Sequence, residues 1–124
     1  MTNTVLSITP FRDIHGLNIS SKNGRNFIID IYQGKEENFD SEVTVLDNIS
    51  TSKGSWLYKM SPVSSSSSDN FKASIEFILK YLSSVDNTDS ISDIHNLCNC
   101  PFVSEVEQNN ILSKLGQKIN VRVN

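Results

Sequence analysis

A β-hairpin signal in the first quarter of the chain constrains the fold more than any other feature. In the stretch LNISSKNGRNFIIDIY, apolar and polar residues alternate on both sides of Asn23-Gly24. Asn and Gly tolerate the positive φ angles of a two-residue type I′ turn, which joins antiparallel strands. After the turn, Phe27, Ile29 and Ile31 fall on one face. The sequence therefore predicts a hairpin with one buried face.

Other alternating segments indicate that the hairpin belongs to a larger, mainly antiparallel sheet. They are residues 5–8, SEVTVLDN at 41–48, GSWLYKM at 54–60 and the C-terminal KINVRV at 118–123. We expect the C-terminal segment to return to the N-terminal meander as a further strand.

The second half of the chain predicts one long helix and two short ones. NFKASIEFILKYLSSV, residues 70–85, carries apolar residues at helical spacing, with Ser68 or Asp69 as its N-cap. TDSISDIHNLC, residues 88–98, has isoleucines three apart and predicts a short second helix. A third helix begins at Ser104, which forms a capping-box pattern with Glu107, and ends before Gly116. Its inward residues are Val106, Leu112 and Leu115.

These elements predict an α+β fold in which the three helices pack on the sheet. A chain of 124 residues favours a single domain, 1–124, that buries its own core. SPVSSSSSDN, residues 61–70, has little to bury, so we expect a flexible connector there.

The charge balance argues against several functional classes. The formal net charge is -3, whereas nucleic-acid binding favours a basic surface. No apolar run is long enough to cross a membrane, and MTNTVLSITPF lacks the pattern of a secretion signal. We therefore expect a cytoplasmic protein without nucleic-acid or membrane partners. Its carboxylates are concentrated in residues 30–47 and 81–113, and these segments could converge on one surface.

The stretch HNLCNCPF holds both cysteines and one of the two histidines. His95, Cys98 and Cys100 give an H-x-x-C-x-C spacing, but a structural zinc site needs a fourth ligand, usually from a second separated pair. His15 is distant in sequence. We interpret the cysteines as thiols at the end of the short helix and expect no metal and no cofactor. A small metalloprotein that uses these three residues is the less favoured alternative.

Catalytic motifs are missing from the sequence. It contains no G-x-S-x-G elbow, no phosphate-binding glycine loop and no H-E-x-x-H motif. We therefore predict that the protein is not an enzyme and that it works by binding another protein.

Two aromatic residues lie next to the first acidic segment. Trp56 and Tyr58 share one face of a strand, either in the core or as anchors of an interface. The predicted partner-binding residues are Glu36, Glu37, Asp40, Glu42, Trp56 and Tyr58. Such a surface suits a basic protein partner.

In its size, mild acidity, Ser- and Asn-rich composition and tail CNCPFVSEVEQNNILSKLGQKINVRV, the chain resembles bacterial immunity proteins. The resemblance is to those of contact-dependent growth inhibition and other polymorphic toxin systems. It concerns general character over the whole chain and transfers no site residue. It implies an antitoxin that binds a cognate toxin, such as a basic nuclease, and occludes its active site. A phage-encoded inhibitor, a chaperone or an adaptor is the alternative.

Overall fold

The computed structural model describes residues 14–34, 38–50, 55–60, 66–97 and 102–123, apart from the side chains of 55–60, 120, 122 and 123. The strands are β1 Ile14–Ser21, β2 Asn26–Gln33, β3 Phe39–Leu46, β4 Ser55–Met60, β5 Ile91–Asn96 and β6 Asn120–Val123. The helices are α1 Ser67–Val85 and α2 Glu105–Lys114. These described residues form an α+β fold, as the sequence predicts.

All six strands belong to one sheet, in the order β4-β3-β2-β1-β5-β6. Neighbouring strands from β4 through β5 pair antiparallel, and β6 pairs parallel to β5. The predicted antiparallel sheet and the return of the C-terminal strand are therefore confirmed. The strand predicted at residues 5–8 lies outside the described residues.

The β1–β2 hairpin is confirmed, but its turn differs from the predicted two-residue type. The amide of Ser21 donates to the carbonyl of Arg25 at 2.8 Å, and the amide of Gly24 donates to the carbonyl of Ser21 at 3.2 Å. These bonds enclose a three-residue loop in which Gly24, at φ 99°, occupies the last position. Glycine is favoured there because the left-handed region is open to it without a Cβ clash.

The helix predicted at residues 88–98 is wrong, because Ile91–Asn96 is strand β5. Ile91 and Ile94 are both buried although residues three apart normally face opposite sides of a strand. The register explains this: Ser20 pairs with Asp93 and Ser21 with Ile91, so β5 holds one extra residue at Ser92. This β-bulge turns both isoleucines inward and imitates helical spacing.

The long helix α1 is confirmed and begins earlier than the sequence suggested. Its N-cap is Ser66, whose hydroxyl accepts from the amide of Asp69. Part of the predicted connector, Ser67–Asn70, is therefore helical, and residues 61–65 lie outside the described part of the chain.

The second helix, α2, begins and ends where the caps indicated. The Ser104 hydroxyl accepts from the amide of Glu107 at 3.1 Å. At the other end the amide of Gln117 donates to the carbonyl of Leu112 at 2.8 Å, and Gly116 has φ 74°. This is the Schellman arrangement. Val106 is 69% exposed, so its predicted inward orientation is wrong.

The core lies between the helices and one face of the sheet, which we call the inner sheet face. Completely buried side chains fill it: Leu17, Ile19, Phe27, Ile29, Ile31, Val43 and Val45 from the sheet, and Phe71, Ile75 and Ile78 from α1. Neither helix of the described residues has the length and apolar run needed to cross a membrane.

Candidate protein-binding face

The opposite face of the sheet, the outer sheet face, presents side chains that are at least partly exposed. It consists of Ile14, Gly16, Asn18 and Ser20 of β1, Ile28, Asp30 and Tyr32 of β2, Asp40, Glu42, Thr44 and Leu46 of β3, Asp93 and His95 of β5, and Leu97 beside them. Residue alternation along each strand places these side chains opposite the core. The outer sheet face is thus where the described sheet can meet a partner.

A pair of carboxylates lies at the middle of the outer sheet face. Asp30 of β2 is directly opposite Glu42 of β3 in the antiparallel register. Like charges in such cross-strand positions repel each other and destabilise a sheet. The hydroxyl of Tyr32 donates to Glu42 Oε1 at 2.8 Å and holds this carboxylate in place. The register also pairs Glu42 with Lys59 of edge strand β4.

The environment of Asp30 opposes its ionisation. Burial raises the pKa of Asp30 above its usual value, and repulsion from Glu42 raises it further. Because the pKa of Asp30 is higher in the folded than in the unfolded protein, Asp30 stabilises the fold at pH values below its unfolded-state pKa. This stabilisation is lost as the pH rises through the folded-state pKa. At neutral pH the charged Asp30 therefore lowers the stability of the fold.

We expect Asp30→Asn to raise the free energy of unfolding by about 0.5 kcal/mol at pH 7, because it removes the repulsion across the pair. Urea denaturation at pH 7 measures this change. Glu76→Gln on the exposed side of α1 is the matched control, since it removes one negative charge without a facing carboxylate. Equal stabilisation by both variants, or a loss of stability in Asp30→Asn, would contradict the prediction.

Next to this pair on the outer sheet face is Gly16 of β1, whose neighbours are Asp30 and Leu97. A Cβ added at Gly16 would lie 3.3 Å from Asp30 Oδ1 and 3.8 Å from the Cβ of Leu97. Gly16 therefore lets a carboxylate and an aliphatic side chain lie close to the backbone of β1. An anionic and an apolar group side by side suit a lysine or arginine, since its stem is apolar and its end is cationic.

The structure places two of the predicted binding residues on the outer sheet face. Asp40 pairs with Tyr32, and Glu42 pairs with Asp30. Glu36 and Glu37 lie outside the described residues.

The other two predicted binding residues are in the edge strand β4. Trp56 pairs in register with Val45, and Tyr58 pairs with Val43. The directions of these two aromatic side chains lie outside the described part of the structure, so their predicted role at an interface stays a prediction.

Asp30 and Tyr32 were not among the residues predicted from the sequence to bind a partner. The signal for them was local, because Asp30 stands between Ile29 and Ile31 in a strand whose other face is buried. An acidic residue at the centre of an apolar strand must face away from the core. Its partner Glu42 became visible only through the register of β2 and β3.

Three other carboxylates converge on Arg25, which is only 3% exposed, and we call these four residues the Arg25 cluster. Arg25 Nε lies 3.1 Å from Asp47 Oδ2, and Nη1 lies 3.2 Å from Asp86 Oδ2 and 2.8 Å from Asp89 Oδ2. The cluster joins the β1–β2 hairpin to the ends of β3 and α1 and to the start of β5. These three carboxylates therefore help to hold the elements of the fold together.

The surroundings of the Arg25 cluster stabilise the ionised forms of its carboxylates. Burial alone would raise the pKa of Asp47, but hydrogen bonds from Ser50, Tyr81 and Ile49 lower it below its usual range. Hydrogen bonds from Thr88 and Asn23 lower the pKa of Asp86 to about 2. Since depressed carboxyl pKa values favour the folded state above pH 4, the contribution of these residues is lost only as the pH falls toward 2.

Among the described residues, no group of three or more His, Cys, Asp or Glu side chains is placed so that it could hold a metal ion. His95 lies on the outer sheet face in β5, and Cys98 and Cys100 lie outside the described residues. The expected absence of a metal or cofactor thus stays a prediction. Comparisons of the chain with protein families, with curated proteins and with solved structures found no match.

Proposed function

We propose that this protein works by binding a basic surface of another protein with its outer sheet face. The observation that supports this most is the Asp30–Glu42 pair, in which two carboxylates face each other and oppose folding. A lysine or arginine of the partner placed between them would turn this repulsion into attraction. Residues kept at a cost to stability are typical of functional surfaces.

Apolar groups near the carboxylates support the same proposal. Ile14 is 48% exposed and Leu97 is 47% exposed. Leu97 lies beside Gly16, and Ile14 is two residues before Gly16 on the same face of β1. Ile14 pairs in register with Tyr32, whose hydroxyl is bonded to Glu42. Apolar and aromatic groups next to charged ones are common in protein interfaces.

The more specific proposal is that the chain is an immunity protein of a polymorphic toxin system that acts in the cytoplasm. Its support is the general resemblance of the sequence together with the acidic outer sheet face. Toxins that cleave nucleic acids carry basic grooves for phosphates, and carboxylates can occupy such grooves in place of the substrate. Electrostatic attraction raises the association rate, and apolar anchors slow dissociation.

A phage-encoded inhibitor, a chaperone or an adaptor is the second proposal, because the same outer sheet face would serve any basic protein partner. The two proposals differ in the identity of the partner. An immunity protein protects cells from the toxin encoded directly before it and forms a stable complex with it, whereas the other classes do not protect.

We expect the double variant Asp30→Asn/Glu42→Gln to associate with that toxin about tenfold more slowly at low ionic strength, because two steering charges are lost. The difference shrinks at high salt. Stopped-flow or biosensor measurements of the purified pair at two salt concentrations give the association rates.

The matched control is Glu76→Gln/Glu105→Gln, which removes the same net charge from exposed positions of α1 and α2. Equal slowing in both double variants would show that only net charge matters. Unchanged association of Asp30→Asn/Glu42→Gln at low salt would contradict the proposed binding face. If the toxin binds but the cells are not protected, the result would support the proposed binding face and contradict the immunity function.

A further inference from the structure

A buried histidine lies at the end of the sheet opposite the Arg25 cluster. His15 of β1 faces the core and is 0% exposed. Its Nε2 lies 2.6 Å from Oδ1 of Asn96 in β5, and its ring meets Phe102 edge-on with centroids 6.1 Å apart. Asn96 is bonded in turn to Gln108 of α2. We call His15, Asn96 and Gln108 the His15 contact.

The hydrogen bonds fix which nitrogen of His15 carries the proton. Gln108 Nε2 donates to the carbonyl of Val103 at 2.9 Å, which orients the Gln108 amide. The same nitrogen donates to Asn96 Oδ1 at 2.8 Å, so this oxygen faces His15 as an acceptor. His15 Nε2 must therefore be the donor, and in the neutral imidazole Nδ1 is the nitrogen without a proton.

The other ring nitrogen, Nδ1, is buried and has no hydrogen-bond partner among the described residues. In the neutral ring it is an unfilled acceptor, which is tolerable. After protonation it would be a buried N–H donor on a charged ring without a partner, and this is far more costly.

No ionised group among the described residues faces the ring to offset a positive charge. In β2, His15 pairs in register with Ile31, and the residues on either side of Ile31, Asp30 and Tyr32, belong to the outer sheet face. In β5 His95 also belongs to that face. In α2 Glu105 is exposed, and Glu107 accepts a hydrogen bond from Ser68 of α1.

We propose that the His15 contact is acid-sensitive: protonation of His15 separates α2 from β1 and β5, while the ion pairs of the Arg25 cluster remain intact. The proposal goes beyond protein binding and does not depend on it. It assigns different acid responses to the two ends of one sheet.

The direction of the response follows from the surroundings of each end. Burial lowers the pKa of His15 below 6.5, although the Asn96 hydrogen bond acts in the opposite sense. A folded-state pKa below the unfolded value means that stability is lost as the pH falls from 6.5 toward the folded pKa. The carboxylates of the Arg25 cluster respond only below about pH 4. Between these pH values His15 titrates, whereas the carboxylates of the Arg25 cluster stay ionised.

The test compares the wild-type protein with His15→Gln and His95→Gln, since the chain has only these two histidines. Glutamine at position 15 retains a side-chain N–H donor but does not titrate. Between pH 6.5 and 4.5 we expect the wild-type unfolding constant to rise by up to tenfold per pH unit. His95→Gln should follow the wild type, and His15→Gln should lose most of this rise. Urea denaturation across the pH range gives the unfolding constants.

Hydrogen exchange locates the opening. Amides of α2 should gain exchange at pH 5 relative to pH 7, after correction for intrinsic rates, by a larger factor than amides of the β1–β2 hairpin beside Arg25. Equal increases in exchange rate in α2 and in the β1–β2 hairpin would overturn the proposed local opening. Parallel pH profiles for wild type and His15→Gln would overturn the role of His15.

If His15→Gln fails to fold, the wild-type protein still decides the question. Its two histidine C2–H resonances can be titrated by NMR, with His95→Gln used for assignment. A His15 resonance that titrates below pH 6.5, or only together with the opening, supports the proposal. Titration at or above 6.5 in the folded protein overturns it.

Discussion

Replacement of Arg25 by methionine should lower the free energy of unfolding by about 3–5 kcal/mol at pH 7, which is the usual effect of removing one partner from a buried ion pair. Asp47 and Asp89 have side chains that are 0% exposed and would lose their only described cation. Methionine retains the approximate length and packing of the arginine stem. The loss therefore reports uncompensated carboxylates more than a cavity.

Urea denaturation of Arg25→Met measures this loss, and Lys22→Met is the matched control. Lys22 lies in the same hairpin loop, is exposed and loses the same charge on substitution. We expect its effect to stay within about 0.5 kcal/mol, as for most surface substitutions. A loss of similar size in both variants would show that the Arg25 cluster contributes no more than a surface charge.

Features determined by neighbouring residues could be predicted from the sequence. The β1–β2 hairpin, the apolar stripe of α1 and the caps at Ser104 and Gly116 each depend on residues within a few positions of one another. Strand β5 could not be identified in this way. Its bulge at Ser92 is defined only by pairing with β1, which lies about 70 residues earlier in the chain, as the Ser92–Ser20 bond shows.

The roles of the carboxylates were harder to predict than the elements that carry them. The sequence suggested that the two acidic segments could converge on one surface, but Asp47, Asp86 and Asp89 of these segments meet at a buried arginine. Asp47, Asp86 and Asp89 follow Arg25 by 22, 61 and 64 residues, and composition does not indicate such contacts. Without the fold, a carboxylate that stabilises the interior looks the same as one that faces a partner.

The Asp30–Glu42 pair also depends on contacts that the sequence does not indicate. Alternation alone places Asp30 on the outer sheet face, and it places Glu42 on one face of its own strand. Only the register of β2 with β3 brings the two carboxylates opposite each other. The candidate site is thus a property of strand pairing, which long-range packing decides.

The second large effect concerns Phe27, which connects the core to the Arg25 cluster. Its side chain is 0% exposed and packs edge-on against the ring of Tyr81, with centroids 5.8 Å apart. The Tyr81 hydroxyl donates to Asp47 Oδ2 at 2.7 Å. Removal of the Phe27 ring therefore leaves a cavity beside the tyrosine that orients a buried carboxylate.

We expect Phe27→Ala to lower the free energy of unfolding by about 3–5 kcal/mol, measured by urea denaturation, whereas Phe77→Ala at a partly exposed site of α1 should cost less. Tyr81→Phe removes the hydroxyl alone. Because the cavity frees the Tyr81 ring, the double variant Phe27→Ala/Tyr81→Phe should lose roughly 0.5–1 kcal/mol less than the sum of the single variants. Strict additivity would mean that core packing and the Arg25 cluster act independently. Coupling would show that Tyr81 transmits the packing of the inner sheet face to the charges at its end.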